Sequence, residues 1–332
     1  MDVTDLLARA VEAGASDLHL AAGEIPMLRC EGELRRMDLP ILQPAVLDDA
    51  LEHWLDAEQT VRWRQGEDLD LALELPQLGR FRLNLYRQLR GPAATLRLIP
   101  NDIATLAALE LEEVYLAVAK YTDGLVLVGG PTGSGKSSTL AALLHRLNCE
   151  RALHIITLED PIEVIHKDGQ SLVNQREIGR HCRDFAQGLR SALRQDPDVI
   201  MIGELRDLET IRLALRAAET GHLVLATVHT RSAAGSLERL VEVFAAEEKN
   251  QVRTMLADSL RMVVAQVLVK RVGGGRVAAR EVLVATPAVR NLVREGRMAQ
   301  LCSVMQAGGA EGMRTMEGAM RRLQERGVID EP

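Results

Sequence analysis

Apolar and polar residues alternate along the first third of the chain and run together along much of the rest. In FRLNLY, residues 81–86, Phe81, Leu83 and Leu85 fall on one face and Arg82, Asn84 and Tyr86 on the other, the period of a half-buried strand. DLHLAAG, from Asp17, reads as a strand and turn, whereas VLDDALEHWLDAEQTVRWRQ, 46–65, carries a helical period. A small α+β domain built on an antiparallel sheet is therefore expected over residues 1–98. Pro100 disfavours helix at Ile99, and Asn101 and Asp102 are turn formers, so a linker is expected over 99–112.

Beyond it, LVLVGG (125–130), LHIITL (153–158), VIMIG (199–203) and LVLATV (223–228) are nearly continuous apolar runs separated by helical stretches. Strands apolar on both faces belong in a parallel sheet covered by helices, so residues 113–332 read as an α/β domain. Ligands of such sheets sit beyond the carboxyl ends of the strands. Chemistry is to be sought just after each run.

The first run opens into GPTGSGKS, which has the spacing G-x-x-x-x-G-K-[ST] between a strand and a helix starting near Lys136. Gly130, Pro131, Thr132, Gly133, Ser134, Gly135, Lys136, Ser137 and Ser138 are the expected ATP contacts. Inward N–H groups and the helix N-terminus cradle phosphate, Lys136 reaches the β and γ phosphates, and Ser137 ligates Mg2+. The second run ends in TLEDPIE, where Glu159, Asp160 and Glu163 crowd together, an arrangement suited to a cation or to water activation. At the third, Gly203 stands where many phosphate-loop enzymes place a magnesium-holding Asp, and Glu204 follows. Glu204 could orient the attacking water or hold Mg2+ through a water, and Glu163 competes as general base; spacing leaves the two open. His222 and His229 bracket the fourth run at roughly 23 Å in an extended strand, so they cannot share one metal. His229 sits at the end where a γ phosphate would be sensed, His222 at the opposite end.

The whole chain, 332 residues and 47% apolar, is long enough for two domains. A formal charge of -7 and only eight aromatic residues argue against a motor tracking nucleic acid by charge and stacking. No apolar run approaches the roughly 20 residues of a membrane span, and MDVTDLLARA lacks a signal-peptide pattern, so a cytoplasmic protein is expected. Cys30, Cys149, Cys182 and Cys302 are scattered, which fits reduced thiols.

GPTGSGKS, ITLEDPIE, the acid of VIMIGE and TGHLVLATVHT, in this order, resemble the Walker A, Asp box, atypical Walker B and His box of the secretion ATPase superfamily. SDLHL, FRLNLYRQ, NQRE (174–177), LRSALRQDPD, GELRDLETIRLAL, AAETGH and AVRNLVRE (288–295) extend the likeness, along nearly the whole chain, to its type IV pilus retraction ATPases. The resemblance implies a PAS-like N-terminal domain, a RecA-like ATPase domain, a homohexameric ring, and ATP bound between domains. It implies catalytic carboxylates at Glu163 and Glu204, with His222 and His229 as the His box. It also implies that Arg80, Arg82 and Arg97 approach nucleotide or a neighbouring subunit, where an arginine finger is worth about 10³ to 10⁵ in rate. The tetra-cysteine zinc element of the assembly ATPases is missing, which favours retraction. The partners implied are the inner-membrane pilus platform protein and a paralogous retraction ATPase, at the pilus base, with no nucleic acid; a low-turnover accessory subunit is the alternative. Arg231, after HT, departs from the family's small residue.

Overall fold

The computed structural model describes residues 3–30, 32–99, 103–111, 113–167 and 169–330. The chain divides into two units, residues 1–102 with 161–165 and residues 103–160 with 166–332. Pro100, Asn101 and Asp102 of the expected linker, and Glu112 at its end, lie outside the described residues.

The first unit runs α1 (Val3–Glu12), β1 (Asp17–Ala21), β2 (Met27–Cys30), β3 (Glu33–Arg36), α2 (Pro44–Glu52), α3 (Ala57–Arg64), β4 (Leu69–Leu75), β5 (Gly79–Gln88) and β6 (Gly91–Ile99). Its strands form one antiparallel sheet in the order β3-β2-β1-β6-β5-β4. The alternation read in FRLNLY is kept, with Phe81, Leu83 and Leu85 buried on β5 against Leu7, Leu47, Leu51 and Trp63 of the helices. Each such side chain contributes about 1.5–3 kcal/mol by leaving water. The single helical period of 46–65 becomes two helices because Asp56 caps the second. Its carboxylate accepts Gln59 N at 2.8 Å while Gln59 Oε1 accepts Asp56 N at 3.0 Å, a closed pair that starts α3 where α2 has ended.

The second unit begins α4 (Glu113–Leu116), β7 (Gly124–Gly129), α5 (Lys136–Glu150), β8 (His154–Glu159), β9 (Leu172–Glu177), α6 (Phe185–Ala192) and β10 (Val199–Ile202). It continues α7 (Leu208–Glu219), β11 (Leu223–Val228), α8 (Ala233–Glu242), α9 (Lys249–Ser259), β12 (Leu260–Lys270), β13 (Arg276–Val284), α10 (Pro287–Glu295), α11 (Leu301–Ala307) and α12 (Met316–Glu325). The sheet order is β13-β12-β7-β11-β10-β8-β9, parallel except for the edge strand β13.

Both faces of the central strands are covered, which explains their unbroken apolar runs. Val126 and Val128 of β7 pack with Leu140, Leu143, Leu144 and Leu147 of α5, whereas Leu125 and Leu127 belong to the opposite layer with Leu215, Leu237 and Leu256. The consequence for chemistry is topological. β7 and β8, successive in the chain, are separated in the sheet by β11 and β10, so the residues following four strands are brought into one row.

AVRNLVRE forms α10, with Val289 and Val293 fully buried. Arg290 turns back onto the carbonyls of Ala285, Asp258 and Leu260 at 3.1, 2.9 and 3.0 Å, and Arg294 pairs with the Asp258 carboxylate at 2.7 Å. This helix fastens its charges as well as its apolar stripe. Glu281, buried on β13, accepts the N–H of Ala233 at 2.6 Å and of Met316 at 3.1 Å, so one carboxylate serves the N-termini of both α8 and α12.

Candidate nucleotide site

β7 leads at once into the glycine loop. Gly130 has φ 154°, and a Cβ there would collide with Ser134 Oγ and the Gln266 carbonyl. Gly135, the N-cap of α5, has φ 85°, a left-handed conformation that costs other residues about 1 kcal/mol or more. No side chain caps α5, so its first N–H groups must be satisfied from outside the helix, as an anion does. Lys136 is 8% exposed, and its Nζ donates to the carbonyls of Gly130 at 2.8 Å and Pro131 at 3.0 Å. Thr132, Gly133, Ser137 and Ser138 are exposed, Pro131 and Gly135 half-buried, and Ser134 buried.

The neighbouring strand ends are laced to this loop. Gly130 N donates to Val228 O at 3.3 Å, and beyond β11 the Thr230 and Ser236 hydroxyls lie 2.5 Å apart. On the other side of β11, Thr227 Oγ1 donates to Gly203 O at 2.5 Å and Leu205 N to Thr227 O at 2.9 Å. That ladder brings Glu204 to His229, whose Nε2 is 3.3 Å from Glu204 Oε2; Arg206 Nε is 2.6 Å from the same oxygen. The Glu204 side chain keeps 14% of its surface exposed. Asp207, not Glu204, caps α7, accepting Thr210 N at 2.9 Å.

At the end of β8 the two adjacent acids part company. Glu159 is buried, accepting Thr157 Oγ1 at 2.6 Å and Gln175 Nε2 at 3.0 Å, while Asp160 is exposed. Gln175, on β9, also accepts His166 N at 2.9 Å through its Oε1. Burial, with His145 adding to it, pushes the His166 imidazole down to about 4.

A family model described as Type II/IV secretion system protein matches residues 1–327. The chain belongs to this family. It is 50% identical over 329 residues to the type IV pilus retractation ATPase PilT of Pseudomonas aeruginosa, covering 99% of this chain and 96% of that one. It is 47% identical over 305 residues to a twitching motility protein of Neisseria gonorrhoeae, covering 92% and 82%. A crystal structure of the pilus retraction motor PilT with bound ADP superposes with a TM-score of 0.92 at 40% identity, covering 99% of this chain and 95% of that chain. The fold is thus that of a secretion ATPase, a RecA-like α/β domain with a smaller α+β domain before it.

Of the remaining expected residues, Glu163, Arg80, Arg82 and Arg97 belong to the first unit, and His222 and Arg231 to the second. Glu163 belongs to the short segment 161–165, which groups with the first unit, and is half-buried. Arg82 lies 3.6 Å from Asp70, and Arg97 donates to the buried Asp17 at 2.7 Å. Arg80 is 14% exposed with Glu74 at 4.0 Å, and its Nε and Nη1 have no hydrogen-bond partner among the described residues. His222, at the amino end of β11, sits 3.1 Å from Ala217 O through Nδ1, a strand-end hydrogen bond far along the strand from His229. Arg231 is exposed. Two residues hold positions to which sequence reasoning gave no role: Gln175, inside the quoted NQRE, and Gln266, the lone polar residue of the run MVVAQVLV.

Proposed function

We propose that the chain is an ATP-hydrolysing motor that powers type IV pilus retraction, acting as a homohexamer in the cytoplasm on the inner-membrane platform protein at the pilus base. The observation that carries this reading is the row of strand ends: glycine loop, Thr230 and His229, Glu204, then Glu159. The relatives named above, matched over 96% and 82% of their own length, are a retraction ATPase and a twitching motility protein.

The geometry suits each step. Loop N–H groups within Thr132–Ser137 hold the phosphates, and Lys136 exchanges its two carbonyl partners for phosphate oxygens. Ser137, exposed in the first turn of α5, would hold magnesium, with Glu204 reached through water; the exposed hydroxyl and partly open carboxylate fit that ion, which takes most ligands from phosphates and water. Magnesium bound there supplies charge neutralisation for the β and γ phosphates. Glu204 accepts the proton of the attacking water, and His229 holds the Glu204 carboxylate in place. Glu163 is the second candidate base; the contact of Glu204 with His229 beside the loop strand favours Glu204. Among the described residues no helix is long and apolar enough to cross a membrane, so attachment to the membrane would run through a partner.

The test is complementation of a deletion strain. Wild type should restore pilus retraction and Lys136→Ala, at equal protein level, should leave it below a few per cent. A deletion strain that retracts normally, with no paralogue compensating, contradicts the proposal.

A further inference from the structure

We propose that Gln266 is a positioning residue of the phosphate grip, holding the glycine loop and the first turns of α5 in one arrangement from the neighbouring strand. This rests on the reading of Gly130–Ser137 as a nucleotide loop. Gln266 lies in the middle of β12, one residue after the pairing of Ala265 with Gly129 of β7. It is 1% exposed. A buried amide left without partners costs about 1–3 kcal/mol, so its bonds decide whether it is tolerated. It has both. Nε2 donates to Ser134 O at 2.7 Å, and Oε1 accepts Thr139 Oγ1 at 2.9 Å.

Those two bonds act on the grip itself. In a trans peptide the C=O and the next N–H point in opposite directions, so pinning the Ser134 carbonyl on Gln266 turns the Gly135 N–H away from β12, towards the hollow of the loop. The Ser134 carbonyl can only accept, so it fixes which end of the amide faces the loop, and Thr139, one turn into α5, donates its hydroxyl to the Oε1 that remains. The loop's first and last glycines also close on this residue. The Gln266 carbonyl occupies the space a Cβ on Gly130 would need, and Gln266 Nε2 lies 3.3 Å from where a Cβ on Gly135 would stand. Loop entry, loop exit and helix start therefore share one support. It touches no phosphate position directly; its effect passes through the backbone it orients.

The experiment uses the purified full-length chain, titrated with a fluorescent ADP analogue and assayed for ATP turnover over a range of ATP. Gln266→Met keeps the volume and loses both hydrogen bonds. It should weaken ADP about tenfold, near 1.4 kcal/mol, and raise KM for ATP by a similar factor while kcat changes less than threefold. Gln266→Glu can still accept from Thr139 but cannot donate to Ser134, so it should match Gln266→Met or exceed it; Thr139→Val, which leaves the buried Oε1 without its donor and loosens the amide, should lose about threefold. Melting without nucleotide should stay within a few degrees of wild type for Thr139→Val, which keeps the test readable if Gln266 variants fold poorly. Affinity within twofold of wild type in folded Gln266→Met or Gln266→Glu, or in Thr139→Val, overturns the proposal. Wild type that binds no ADP would instead remove the nucleotide reading beneath it.

Discussion

In the first unit three arginines on or beside β5 keep a third or more of their surface exposed and pair with nearby acids: Arg82 with Asp70, Arg87 with Asp48 and Arg90 with Glu24, at 3.6, 3.4 and 2.6 Å. In the second unit several polar groups at the carboxyl ends of β7 and β8 are buried, among them Lys136, Glu159 and His166, and Gln266 of β12 is buried beside the end of β7. The difference follows from connectivity. Antiparallel strands are joined by turns at both ends, so polar residues are spread over an exposed face; parallel strands return through helices, which leaves one end of the sheet open for a ligand. Charge type alone does not separate a site from a solvated surface. Burial and shared partners do.

The contrast can be broken by perturbing one group in each sheet. The larger effect is expected at His166. With its pKa near 4 against an ordinary 6.5, the folded chain resists the proton that the unfolded chain accepts. Its contribution is therefore complete above pH 6.5 and is lost as pH falls from 6.5 towards 4. Urea unfolding across that window should show wild type losing about 3 kcal/mol more than His166→Gln. Equal slopes would mean that burial at the end of β8 and β9 does not hold the imidazole neutral. The smaller effect is expected in the first unit. Arg82→Ala should shift the unfolding free energy by no more than about 0.5 kcal/mol, and less in high salt. A loss above about 2 kcal/mol would place that pair among the buried supports and erase the comparison.

Much of this was legible in the chain. β7, β8, β10 and β11 announce themselves because both of their faces are buried, and GPTGSGKS fixes where α5 must begin. The strand FRLNLY is equally plain, since only one of its faces meets the core. What sequence could not supply are contacts made over long separations. Gln266 sits 132 residues from Ser134, inside a run whose pattern gives no hint of the loop it braces. Glu204 and His229 meet only because β10 and β11 are neighbours, a fact of sheet order. The segment 161–165, with Glu163, groups with the first unit although the chain places it amid the second. The split of 46–65 into two helices was written locally, in Asp56 and Gln59, but a shared period hid it.

ATP hydrolysis at the carboxyl end of the parallel sheet, through Glu204, is the central proposal. Steady-state ATP turnover of Glu204→Gln, measured beside its affinity for ADP, tests this directly. The change keeps shape and removes the base, so turnover should fall by about 10² or more while ADP binds within a few-fold of wild type. Turnover within twofold of wild type, with the protein folded and nucleotide bound, would contradict it.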